Sequence, residues 1–108
     1  MATATFVQRG ENIDYTAQAD TAYMEIVPLA ARIGVALEPI AKGDTGTVTL
    51  TGVFSMPAAT GAIAVGSELY WDAKAGNITG TKSDTVVFAG YATEPKTESG
   101  ATVNVRIG

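Results

Sequence analysis

Residues 61–67, Gly61-Ala62-Ile63-Ala64-Val65-Gly66-Ser67, have the outline of a phosphate-binding loop: two spaced glycines and then a hydroxyl. Such a loop cradles phosphates with backbone amides and needs a lysine after the second glycine to reach the β- and γ-phosphates. Here Ser67 stands in that place, and no Gly-Lys pair occurs anywhere in the chain. Two glycines that permit tight turns between strands are the better reading. Two carboxylate pairs, Glu94 with Glu98 and Asp14 with Asp20, have the residue types for glycoside hydrolysis. One tryptophan and four tyrosines give no evident aromatic-lined sugar cleft, so these read as solvated loop charges. No Asp-x-Asp calcium loop is present. Asn77-Ile78-Thr79 fits a glycosylation sequon, but no secretion signal accompanies it. Trp71 beside Tyr70 has the rings to stack a base or a sugar. Such a pair more often straddles a strand, with one ring inward and one outward, and core packing is preferred.

The chain contains no histidine and no cysteine. Serine–histidine and cysteine–histidine nucleophiles cannot be built from it. The usual zinc ligands and redox pairs are missing as well. No enzyme and no cofactor is expected; composition points to a packing surface.

Apolar residues recur with period two. Over residues 47–56 the even positions are Val48, Leu50, Gly52, Phe54 and Met56, and the odd ones are mostly threonine, which predicts one long strand. Val103, Val105 and Ile107 alternate with Thr102, Asn104 and Arg106. Ile33, Val35 and Leu37 form a shorter apolar set opposite Arg32, Gly34 and Ala36. Residues 85–93 are apolar on both faces, as in a central strand. Residues 72–77 read as a hairpin loop with Gly76 at positive φ, and Pro57 closes the long strand. Residues 28–36 and 57–65 admit a helical turn at most. The expected fold is all-β: a small antiparallel β-barrel or sandwich with an extended N-terminal arm and at most short helical turns.

A length of 108 residues suits one domain, with residues 1–25 as arm and first strands and 26–108 as a single β domain. Charged residues make up 17%, which implies a surface that is partly polar-neutral or partly covered by a partner. The formal net charge is −4, and the seven basic residues are scattered with no two adjacent. Nucleic acid is therefore not an expected partner. The chain shows no signal peptide and no apolar run of transmembrane length, so neither secretion nor a membrane is expected. Within residues 1–25, isolated apolar points such as Phe6 and Val7 interrupt a polar, Thr- and Ala-rich stretch. It reads either as an edge strand with a frayed tip or as an arm that orders on a partner.

The runs Gly52-Val53-Phe54-Ser55-Met56-Pro57 and Gly61-Ala62-Ile63-Ala64-Val65-Gly66-Ser67-Glu68-Leu69-Tyr70-Trp71-Asp72 resemble the central signature of the phage capsid cement proteins. Phe6-Val7-Gln8-Arg9-Gly10, Ile33-Gly34-Val35-Ala36 and Val103-Asn104-Val105-Arg106-Ile107 fit the same family, so the resemblance covers nearly the whole chain. Its motifs are glycine, proline and aromatic punctuation, not catalytic residues. Members of the family sometimes carry a recombinase label, which the missing lysine and absent basic tract do not support here. The resemblance implies a β-rich decoration protein on the outer surface of a phage head, assembled in the host cytoplasm. It would clamp neighbouring major capsid subunits, and self-association is expected, a trimer before a dimer. Thr3, Ala4, Thr5, Phe6, Val7, Gln8 and Arg9 are the expected capsid contacts, since the segment is strand-prone and lightly charged. Two other functions compete: a tail-tube or head–tail connector β module, and a carbohydrate-binding β domain.

Overall fold

The computed structural model describes residues 2–108; Met1, the first residue of the expected arm, lies outside them. Among the described residues there is no helix. The regular structure is β1 (Asn12–Thr16), β2 (Ile26–Pro28), β3 (Ile33–Ala36), β4 (Thr45–Thr49), β5 (Gly52–Pro57), β6 (Glu68–Asp72), β7 (Asn77–Thr79), β8 (Val86–Ala92) and β9 (Thr102–Ile107). The strands form two antiparallel sheets, in the orders β1-β4-β3-β2 and β5-β9-β8-β6-β7. The second sheet curls until Ala58 and Ile78 meet in a single parallel bridge at one corner. It does not close, so of the two expected architectures the fold is the sandwich.

The main core lies on the inner side of the five-stranded sheet. Met56, Leu69, Ile78, Ala89, Ala92, Val103, Val105 and Ile107 are buried there with Ile33 and Val35 from the four-stranded sheet. The alternation at β9 is borne out, because Val103, Val105 and Ile107 all point into this core. β8 is central, as its composition predicts, and lies between β9 and β6. Its two-sided burial is only partial, since Tyr91 stays exposed. The hairpin at residues 72–77 is also found: Asp72 pairs with Asn77, and Gly76 takes φ +71°. The amide of Gly76 donates to the Asp72 carbonyl at 2.8 Å, and Asp72 Oδ1 accepts the amides of Lys74 and Ala75.

The single strand expected over residues 47–56 is two strands in different sheets, β4 ending at Thr49 and β5 starting at Gly52. The alternation runs through the break in phase but feeds two cores. Val48 enters a smaller cluster with Ala17, Val27, Ala36 and Ile40, while Met56 enters the main core. At the crossing the Leu50 amide donates to the Glu11 carbonyl at 2.7 Å, and Gly52 takes φ +130°, a region that favours glycine. The small cluster also explains β3. Gly34 and Ala36, expected on an open face, are buried like Ile33 and Val35, while Leu37 lies exposed beyond the strand end. Residues 28–36 fold as the β2–β3 hairpin, with the Leu29 amide donating to the Arg32 carbonyl at 2.7 Å.

Candidate functional site

Four backbone amides of the glycine-rich segment, including those of both glycines, are occupied within the chain. Gly61 donates to the Glu98 carbonyl, Ile63 to Lys96, Gly66 to Ala92 and Ser67 to Ala64, at 2.8–3.2 Å. A phosphate-binding loop needs such amides turned toward its ligand, whereas these bond within the segment, to Ala92 at the end of β8 and to the loop that follows β8. That loop is pinned by Lys96, only 7% exposed, whose ammonium donates to the carbonyls of Thr97 at 2.9 Å and Gly100 at 3.1 Å. The carboxylates do not converge on a cleft. Glu94 and Glu98 are exposed, Asp14 is exposed on β1, and Asp20 accepts the Lys42 amide at 2.9 Å.

Trp71 packs against the main core, opposite Ile78 on β7 and Val87 on β8. Tyr70 points to the other side of the sheet and yet is 9% exposed. Its ring meets Phe88 edge-on at 5.9 Å, and Phe88 meets Tyr91 in the same way at 5.6 Å. The Tyr70 hydroxyl donates to Glu68 Oε2 at 2.9 Å, and this bond, followed by desolvation, raises the phenol's pKa above its ordinary value. The cluster depends on a β-bulge: Leu69 pairs with Gly90 but Tyr70 pairs with Phe88, so β8 carries one extra residue there.

On the outer side of the five-stranded sheet, the register aligns Val53, Arg106, Tyr91 and Glu68 in one row across β5, β9, β8 and β6. Val53 and Tyr91 are both largely exposed. Aromatic and arginine side chains of this kind are enriched where proteins dock. Sequence reasoning missed this row because it exists only through the strand order. A second exposed corner carries Tyr23 and Met24, the latter at φ +66°. It borders a cleft of about 130 Å³ lined by Met24, Ile26, Val35, Phe54, Met56 and Pro57.

The arm is the simplest element. Residues 2–10 form no strand and are exposed throughout. All seven expected contact residues, 3–9, therefore lie together in solvent. Phe6 is 82% exposed and Val7 85% exposed, the two most exposed large apolar side chains among the described residues. Arg9 meets Glu11 at 3.6 Å on the surface, a pair of small energetic weight. The exposed N-terminal segment and the aromatic–arginine row thus stand at the surface, while the amides of Gly61 and Gly66 are bonded within the chain.

The comparisons agree. The family model of the phage cement proteins matches residues 7–107, from the arm to the end of β9. No curated protein and no solved structure matches the chain at a significant level. The chain therefore belongs to the phage cement protein family, with the structural, capsid-associated role in phage that membership carries.

Proposed function

We propose that the protein decorates the outer surface of a phage head, after assembly in the host cytoplasm, and clamps neighbouring major capsid subunits with its arm. The observation that carries the reading is the exposure of Phe6 and Val7 on a segment without strand structure. A soluble domain gains nothing by leaving these side chains in water, whereas burial in a subunit crevice makes an aromatic anchor worth about 2 kcal/mol per copy. Repeated over a lattice, such contacts multiply through multivalency. Closed symmetry is the default for assemblies of one chain, and a trimer is the form proposed, ahead of a dimer. In this scheme residues 26–108 are the β body and residues 1–25 supply the arm and the first strand.

Deletion of residues 2–9 tests the clamp, with two readouts. The thermal melt of the free protein is expected to stay unchanged, because the exposed arm lies outside both cores. Occupancy on undecorated heads, counted by electron cryomicroscopy, is expected to collapse. Full occupancy after the deletion overturns the clamp.

A further inference from the structure

Two sheets have four edges, and three of them are blunted. β2 is three residues long and ends in Pro28. β7 is also three residues long, and Ala58 and Ala59 already lie along it, with the Ala59 amide donating to the Ile78 carbonyl at 2.8 Å. β5 ends in Pro57 at that same bridge. Short strands, proline and covering segments are the devices that keep edges from pairing. β1 has none of these three: it runs for five residues without proline or bulge, and its one guard is the charge of Asp14.

The geometry of the open side follows from the β1–β4 ladder. The Leu50 amide donates to the Glu11 carbonyl, and the Ala17 amide donates to the Asp44 carbonyl. These bonds mark the odd-numbered residues as the ones bonded to β4. Antiparallel pairs alternate, so Ile13 and Tyr15 turn their backbone groups to β4, while Asn12, Asp14 and Thr16 turn theirs outward. Among the described residues no backbone hydrogen bond reaches those three. Three outward N–H and C=O pairs, at every second residue, match the ladder of one added strand.

Resting on the capsid reading above, we propose that the open edge of β1 receives an extended strand of the major capsid subunit, with a basic residue opposite Asp14. Charge argues against a second copy as the occupant. Antiparallel self-pairing over the full length of β1 sets Asp14 against Asp14, and like charges directly opposite repel. A strand with lysine or arginine at that place turns the same carboxylate into an attraction. The arm leads directly into β1, so both engage one stretch of capsid surface.

Hydrogen exchange on the full chain tests the assignment, with undecorated heads as the probe. In the free protein the Ile13 and Tyr15 amides are expected to be protected and those of Asn12, Asp14 and Thr16 to exchange freely. On heads, all five are expected to be protected, with the three outward amides slowed about tenfold or more. Asp14→Pro removes one outward N–H and leaves the β4 ladder intact; it is expected to weaken binding about tenfold at an unchanged melt. Asp14→Lys, which carries no backbone change, is expected to weaken binding as well. Should heads bind the wild-type chain and leave the three amides unprotected, the β1 assignment falls while the capsid role stands. If heads never bind the chain, the capsid reading itself falls. Protection of the three amides in concentrated free protein would give the edge to a second copy instead and overturn the proposal.

Discussion

At Gly90 the backbone takes φ +154°, and a Cβ built there would overlap the carbonyl oxygen of Arg106 on β9. Neither atom can yield, because both belong to paired strands of the central sheet. Gly90→Ala is expected to cost about 2 kcal/mol or more in a urea melt. Gly66→Ala is the control: its φ is +84° but its surroundings are open, so only the backbone penalty of about 1 kcal/mol remains. Lys96→Met keeps the aliphatic stem and removes both bonds to the Thr97 and Gly100 carbonyls. A loss of about 1–3 kcal/mol is expected from the same measurement. Tyr70 sets a pH dependence. Its phenol pKa is raised in the folded state, so its contribution to stability is present below the ordinary tyrosine pKa of about 10 and is lost as pH rises through the folded value. Melts across that alkaline range are expected to show the decline, and Tyr70→Phe to flatten it.

The elements divide into those the sequence announces and those it conceals. β9 and the β6–β7 hairpin are announced, because alternation and turn residues act within a few positions. The N-terminal stretch is only half announced: its isolated apolar points admit both an edge strand with a frayed tip and an arm, and an edge strand β1 preceded by strandless residues 2–10 fits either description. The break between β4 and β5 is concealed because the period of two continues through Leu50, and only the change of sheet at Gly52 reveals it. The second buried face of β3 is concealed because Gly34 and Ala36 are small enough to look neutral. Neither the row through Val53, Arg106, Tyr91 and Glu68 nor the open edge of β1 can be found without the strand order. A residue's exposure depends on which strand lies beside it, and that partner is often distant in the chain. For the crossing itself, Gly52→Val is expected to destabilise by about 1–2 kcal/mol, through its φ of +130° and a Cβ contact of 3.0 Å with the Phe54 ring, measured by thermal melt.

At the scale of the whole molecule, the main core joins the sheets, since Ile33 and Val35 of the four-stranded sheet are buried among residues of the five-stranded one. Loss of either sheet exposes the other, so one cooperative transition is expected, with calorimetric and van't Hoff enthalpies in agreement. Two separated transitions would contradict the shared core. The pairings are long-range: β1 pairs with β4, and Gly52 at the start of β5 pairs with Ile107 at the end of the chain. Such topologies close large loops before contacts compensate. Stopped-flow refolding is therefore expected in the range of about milliseconds to seconds, not microseconds.

The Cα extents of the molecule are 43 × 40 × 24 Å, the dimensions of a tile. Laid flat on a head, a full coat would widen the particle by twice 24 Å; standing on its rim, it would add at least twice 40 Å. Light scattering on bare and coated heads resolves that difference, so a hydrodynamic diameter reports whether the proposed coat lies flat or stands on its rim.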